Sequence, residues 1–292
     1  MTGIIIKAVG GLYTVEASDG VYECKARGVF RKRGITPMCG DNCEFTADDK
    51  AGQVISEILP RKNELIRPPL ANLDLLIFVI AVAEPKPDLT LLDKFIAICE
   101  HKKIAPAIVI TKTDMGSCEG IAALYRRAGF DVFTADNTTG EGSAEVREFI
   151  RGKLCAFTGN TGVGKSSLMN RMFPDLELST GEISRKLGRG RHTTRTVELF
   201  KLPEGGYIAD TPGFSSFETN RYEIIFKDEL KDCFREFGEY EGRCRFPDCA
   251  HTADKGCAVI RAVEAGEIAR SRHESYLAMY EEARQLKEWE HK

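Results

Sequence analysis

At 292 residues the chain is too long for one ordinary hydrophobic core, so two or three domains are expected. Its 42% hydrophobic and 29% charged residues describe a globular protein, and a net charge of −3 gives no global case for a polyanionic partner. No apolar run approaches the roughly 18 residues of a bilayer span, and MTGIIIKAVGG lacks the parts of a secretory signal, which together point to a cytoplasmic protein without membrane contact. Ten cysteines scattered along such a chain are expected to be reduced thiols.

Residues 1–66 are predicted to be all-β. GIIIKAVGGLYTVEA carries a Gly-Gly turn, and YECKARGVF, GDNCEF and GQVISEIL are further short strands, a pattern that fits a small barrel. Arg67-Pro68-Pro69-Leu70 breaks the pattern and marks a boundary. Beyond Asn72, continuous apolar runs (DLLIFVIAVA, APAIVIT, DVFTA, KLCAFTG, GGYIADT) alternate with helical stretches such as LTLLDKFIAICEHKK and EGIAALYRRAG. Strands apolar on both faces, separated by helices, imply a mostly parallel sheet. After Phe214 the chain turns helical and charged, and helical spacing is expected over 259–290. Two basic clusters, Lys25, Arg27, Arg31, Lys32 and Arg33, and Arg185, Lys186, Arg189, Arg191 and Arg195, suit phosphate contacts or a solvated face equally well.

Gly159-Asn160-Thr161-Gly162-Val163-Gly164-Lys165-Ser166 fits G-x-x-x-x-G-K-[ST], with Ser167 following. The glycines let backbone N–H groups wrap phosphate oxygens. Lys165 supplies charge at the β- and γ-phosphates, and the Ser166 hydroxyl can ligate Mg2+. The loop follows an apolar strand and opens the stretch SSLMNRMF, a helix whose dipole favours an anion.

Thr111-Lys112-Thr113-Asp114 follows the strand APAIVI and selects guanine over adenine. A carboxylate at Asp114 can accept from both N1–H and the exocyclic amine of guanine, whereas adenine would leave a buried carboxylate unpaired. The Lys112 stem can lie along the base plane. Thr134 and Ala135 begin a second base-contact loop, TADNTTGEG. Asp210-Thr211-Pro212-Gly213 has the form D-x-x-G, with Asp210 holding Mg2+ through water and Gly213 sensing the γ-phosphate. The alternative is a plain proline turn. GRGRHTTR, residues 188–195, is suited to a switch that brings Thr193 or Thr194 to the cation. The motif order is rotated: TKTD precedes the phosphate loop and D-x-x-G comes last.

Cys244-x4-Cys249-x-His251-x5-Cys257 offers three thiolates and an imidazole, the donor set of a closed, structural zinc site. The alternative is three buried thiols and an unrelated histidine. With this knot, the order TKTD, GNTGVGKS, GRGRHTTR, DTPGF resembles the bacterial ribosome-small-subunit-dependent GTPase A family over essentially the whole chain. The resemblance implies a multi-domain α+β protein. Its parts are an OB-fold β-barrel at 1–67, a circularly permuted P-loop α/β GTPase domain at 68–217, and a helical zinc-binding domain at 218–292. It also implies a monomeric GTPase that binds GTP and GDP with Mg2+ and one structural Zn2+. Such a protein assists late maturation of the small ribosomal subunit, contacts its rRNA through the barrel and zinc domain, and is stimulated by the subunit.

Thr111 replaces the usual asparagine of the guanine motif, and Phe214 replaces a water-orienting glutamine. The resemblance makes His192, with Lys165, the catalytic candidate; the alternative is that His192 only orders the loop or meets RNA. Two other functions stay open. One is an RNA-binding assembly module whose nucleotide acts only as a switch. The other is a small-molecule kinase, for which no acceptor pocket or base is evident.

Overall fold

The computed structural model describes residues 1–48, 52–174, 197–210 and 224–286. Five strands open the chain: β1 (Thr2–Val9), β2 (Leu12–Ala17), β3 (Gly20–Ala26), β4 (Asn42–Asp48) and β5 (Gly52–Ile58). They pair in the order β1-β2-β3-β5-β4, and a β1–β4 pairing closes the ring. Strand alternation sends Ile5, Val15, Cys24, Cys43, Phe45 and Ile55 into its core. The stretch expected as one strand, Tyr22–Phe30, divides instead. β3 ends at Ala26, and a short helix, α1 (Gly28–Lys32), brings Phe30 to the barrel interior. Burying that ring is worth about 1.5–3 kcal/mol, enough to override the local strand pattern.

The expected boundary falls at Arg67–Leu70. It is the turn between β6 (Glu64–Leu65) and β7 (Leu70–Ala71), which pair with each other. Leu65 and Leu70 are buried, and the Ala71 N–H donates to the Cys39 carbonyl at 2.8 Å. Arg61 grips the fully buried Asp41 through Nε at 2.6 Å and a terminal nitrogen at 2.8 Å.

The chain then alternates strand and helix: β8 (Leu75–Ala81), α2 (Leu89–His101), β9 (Ala105–Thr111), α3 (Glu119–Arg127), β10 (Asp131–Ala135), α4 (Ser143–Phe149), β11 (Leu154–Thr158), α5 (Lys165–Met172), β12 (Glu198–Lys201) and β13 (Tyr207–Asp210). β10, β9, β8, β11 and β13 lie parallel in that order, with β12 antiparallel beyond β13. The continuous apolar runs follow from two covered faces. Leu76, Phe78 and Ile80 of β8 join Ile96 of α2 and Tyr125 of α3, while Leu75, Ile77 and Val79 join Val146 of α4 with Leu168 and Met172 of α5. The Asp88 carboxylate starts α2 by accepting from the Leu91 N–H at 3.0 Å. Neither α4 nor β12 was expected from the sequence; both are short, too brief to show a period.

The parallel sheet runs on into the barrel. β12 pairs with β1 at Glu198 and Lys7, so eleven strands form one sheet. The Lys7–Glu198 ion pair at 2.9 Å is well exposed and contributes little. Apolar contact does more: Ile4, Ile6 and Ala8 of β1 point away from the barrel core and pack on the cluster that contains Val197 and Leu199. This is why GIIIKAV is apolar at consecutive positions.

The carboxyl-terminal part comprises α6 (Lys227–Leu230), 3-10 turns at Lys231–Cys233 and Arg235–Tyr240, α7 (Ala258–Glu264) and α8 (Arg270–Arg284). The single helical stretch expected over 259–290 is broken, because Glu267 and Ile268 turn their N–H groups back to the Ala262 carbonyl at 2.8 and 3.2 Å. Its core, with Phe234, Phe237, Tyr276 and Met279, includes Ala97 of α2. A buried charged network fixes the same interface. Arg272 of α8 donates to Asp93 of α2 at 2.7 Å and to both oxygens of Glu236 at 2.7 and 3.2 Å. Asp93 also accepts from the Tyr125 hydroxyl at 2.8 Å. The guanidinium carbon lies 4.7 Å from the Phe234 ring centroid and 5.4 Å from that of Phe130. Among the described residues, no helix is long and apolar enough to cross a membrane.

Candidate nucleotide and metal sites

Parallel strands place their following loops at one sheet edge, the usual ligand crevice of such folds. β9 ends at Thr111, β10 at Ala135, β11 at Thr158 and β13 at Asp210, so the guanine-type loop, the loop after Thr134, the phosphate loop and the strand end at Asp210 share that edge although the chain visits them in rotated order. Gly159 through Gly164 link β11 to α5. A Cβ at Gly159 would stand 2.3 Å from the Val79 carbonyl oxygen, and Gly164 holds φ +93° at the helix cap; both positions demand glycine. Val163 is buried and pins the loop to the core. Asn160, Thr161, Gly162, Ser166 and Ser167 are exposed, and Lys165 is half-buried. A glycine-rich loop leading into a helix start with exposed hydroxyls is what an anion with a cation beside it requires.

Thr111 is fully buried at the end of β9. Its hydroxyl lies 3.0 Å from the Ile80 carbonyl and also contacts the Val163 carbonyl of the phosphate loop. A hydroxyl has one proton and serves one of these acceptors at a time. Lys112 takes the left-handed conformation, φ 57°, and its ammonium donates to the Glu84 carbonyl. Thr113 and Asp114 form a 3-10 turn on the rim of the sheet edge, and Asp114 is exposed. An exposed carboxylate is open to a base. Asp114→Asn is therefore expected to move preference from GTP toward xanthosine triphosphate, since an amide can pair with the extra carbonyl of xanthine. Competition binding with an unchanged preference would remove Asp114 from base recognition.

Thr134 and Ala135 are the last residues of β10, and Ala135 is buried. The loop beyond them does more. The Asp136 carboxylate accepts from the Thr138 N–H at 2.7 Å, the Thr139 hydroxyl at 2.9 Å and the Thr139 N–H at 3.4 Å. These bonds, chiefly the one from Thr138, hold its carboxyl below the ordinary range. Asn137, not among the sequence candidates, donates from Nδ2 to the Gly164 carbonyl at 3.0 Å. Arg171 of α5 returns a bond from Nε to the Asn137 carbonyl at 3.1 Å. The run D-N-T-T-G, an aspartate-led turn, was the available signal. The Asp210 backbone completes β13. The Asp210 side chain, His192, Thr193, Thr194, Gly213, Phe214 and the basic cluster at 185–195 lie outside the described residues.

Cys244, Cys249, His251 and Cys257 meet, with their donor atoms all within 4.8 Å of one another. Cys244 Sγ lies 3.6 Å from His251 Nδ1 and 3.9 Å from Cys257 Sγ, and His251 Nδ1 lies 3.4 Å from Cys257 Sγ. A tetrahedral ion with sulfur at about 2.3 Å and nitrogen at about 2.0 Å spaces its donors about 3.5–3.8 Å apart, so the cluster fits a metal ion. Backbone groups donate to two of the sulfurs, the Ala258 N–H to Cys244 at 3.3 Å and the Ile260 N–H to Cys257 at 3.4 Å, while burial holds Cys249 and Cys257 above their ordinary values. Burial opposes ionisation of Cys244, but the Ala258 N–H and the neighbouring thiols bring it below its ordinary value. Burial also lowers His251, favouring the neutral imidazole that ligates. Sequence reasoning missed the support from α8. His273 Nε2 lies 2.8 Å from the His251 carbonyl, an acceptor only, so that nitrogen carries the proton. The Tyr276 hydroxyl donates to the Ala250 carbonyl at 2.6 Å.

The profile of the RsgA GTPase matches residues 58–220, and that of the RsgA N-terminal domain matches residues 2–55. The small ribosomal subunit biogenesis GTPase RsgA of Caldanaerobacter subterraneus subsp. tengcongensis is 44% identical over 286 residues, covering 97% of this chain and 96% of that protein. Its namesake in Geobacillus thermodenitrificans is 45% identical over 291 residues, covering 98% of each. Among solved structures, YjeQ from Thermotoga maritima superposes with a TM-score of 0.82 at 35% identity, covering 98% of this chain and 99% of that one. YloQ, described as a circularly permuted GTPase, gives 0.79 at 35% identity, covering 98% and 96%.

Proposed function

The chain belongs to the RsgA GTPase family and is a GTP hydrolase of ribosome biogenesis, and from that premise we propose that it binds the small ribosomal subunit as a cytoplasmic monomer and assists its late maturation. The subunit stimulates cleavage of the bond to the γ-phosphorus by water, giving GDP and phosphate. The observation that carries this reading is the gathering of the guanine-type loop, the phosphate loop and the D-x-x-G strand end on one sheet edge. The division of labour we propose is an RNA-binding barrel at 1–67, a GTPase domain at 68–217 and a zinc domain at 218–292.

In this reading Gly159 to Ser167 cradle the phosphates, Lys165 offsets their charge, and Asp114 with Lys112 and the loop after Thr134 orient guanine. Thr111 and Thr113 shape that loop. The Ser166 hydroxyl, one of Thr193 and Thr194, and Asp210 would hold magnesium, which when bound neutralises charge between the β- and γ-phosphates. The cysteine–histidine cluster holds zinc, as three thiolates and one imidazole favour. GTP turnover with and without added small subunits tests the proposal: a rise with subunits supports it, and equal turnover removes the subunit from the reaction.

Phe214 cannot orient water, so the proposal gives that work to His192, whose ordinary pKa lies near neutrality. His192→Ala is expected to leave nucleotide affinity intact and lower stimulated turnover about tenfold or more. Single-turnover kinetics at the wild-type rate would end its catalytic assignment.

A further inference from the structure

The guanine-type loop and the phosphate loop hang from β9 and β11, which have β8 between them. A nucleotide that bridges the two loops needs them at a fixed separation. Thr111 supplies one tie, but its single proton is shared between the Ile80 and Val163 carbonyls. A second tie comes from the β10 loop, where Asn137 Nδ2 donates to the Gly164 carbonyl at 3.0 Å. The two side chains converge on one residue, for a Cβ on Gly164 would stand 2.6 Å from Asn137 Nδ2 and 3.6 Å from Thr111 Oγ1.

That carbonyl is a sensitive place to hold. The Gly164–Lys165 peptide is planar, so the direction of its C=O fixes the direction of the Lys165 N–H. The first helical bond, from the Leu168 N–H at 2.9 Å, occupies one lone pair of the Gly164 oxygen, and Asn137 takes the other. Asn137 arrives already ordered. Its own carbonyl accepts from Arg171 at 3.1 Å, and the preceding Asp136 locks the turn through Thr138 and Thr139.

We propose that Asn137 is a positioning residue of the nucleotide site: its carboxamide fixes the Gly164–Lys165 peptide and so aims the phosphate loop's N–H groups at the β-phosphate. This rests on the reading of Gly159 to Ser166 as a phosphate cradle. Asn137 stands in the loop after Thr134, but its carboxamide reaches the phosphate loop, so the effect falls mainly on the phosphates. Loss of the donor weakens GDP and GTP by the same factor and weakens GMP, which has no β-phosphate, distinctly less.

The test is equilibrium binding of fluorescent GDP, GTP and GMP to the full chain and to three variants, with thermal melting of the nucleotide-free proteins. Asn137→Gln, which keeps the carboxamide donor on a stem one methylene longer, should bind GDP more tightly than Asn137→Ala. Asn137→Ala should bind about tenfold more weakly, the scale of one hydrogen bond in a charged site. Asn137→Asp has the same shape but turns an acceptor on the carbonyl, and should be weakest, with all four proteins melting alike. A role in packing alone makes the aspartate variant the best of the three. Tight GDP binding by Asn137→Asp, or equal losses for GMP and GDP in Asn137→Ala, overturns the proposal alone. A wild-type chain that binds no GDP overturns the phosphate-cradle reading and this proposal together.

Discussion

Replacing Cys249 with alanine, or stripping the metal with a chelator, is expected to melt the carboxyl-terminal part of the protein while the parallel sheet stays folded. The four donors sit in a segment, 244–257, that is almost without helix or strand, so its backbone has little else to hold it. Binding of a structural zinc ion supplies on the order of 10 kcal/mol of folding free energy in comparable small sites. The loss would spread, because Cys249 and Cys257 share a core with Phe234, Phe237 and Tyr276, and Tyr276 and His273 hold the carbonyls of Ala250 and His251. Metal analysis of protein purified without chelator should give about one zinc per chain. Near-ultraviolet circular dichroism should report the loosening of the aromatic cluster, and GDP binding should persist. Protein free of zinc, or a Cys249→Ala variant that melts like the wild type, would end the structural-metal assignment.

The second large effect is expected at Arg272. Its side chain is 1% exposed, and its partners Asp93 and Glu236 are 2% and 8% exposed. Arg272→Ala leaves two carboxylates buried without their cation, a change that typically costs about 3–5 kcal/mol. It also removes the group packed against Phe234 and Phe130. Denaturant unfolding followed by circular dichroism should show this loss. A triple variant, Arg272→Met with Asp93→Asn and Glu236→Gln, should recover most of it, because the cost lies mainly in uncompensated charge. A loss under about 1 kcal/mol for Arg272→Ala would mean that water or local movement solvates the carboxylates and that the network does not hold α8 on α2.

Features whose residues are neighbours in sequence were legible without a structure. The phosphate loop is encoded by glycines and a lysine at fixed spacing, since one strand–loop–helix turn brings its atoms together. The metal cluster is legible for the same reason, being four donors in one short segment. The five parallel strands declared themselves because both of their faces are buried, which leaves no polar alternation. The expected match to a permuted GTPase agrees with the solved structures it resembles.

What stayed hidden depends on residues far apart in the chain. Consecutive apolar positions in Ile4–Ile6 looked like strand propensity, and only tertiary structure shows that one face fills a barrel while the other packs against Val197 and Leu199. Asp93 of α2 carries no sequence signal of burial, and only Arg272, 179 residues away, makes it a buried residue. Asn137 had no motif of its own, because its significance is the Gly164 carbonyl it reaches across two strand ends. The sequence by itself determined the chemistry available, namely a phosphate cradle, a guanine-type loop and a thiolate–imidazole cluster, since local spacing sets which donors can converge. The tertiary structure decided how those pieces are held: a barrel continuous with the sheet, a carboxyl-terminal unit fastened by buried charge, and a phosphate loop braced by the loop that follows β10. Burial of a charge and the aim of a carbonyl are set by whichever distant segment packs against them, and no local pattern records that.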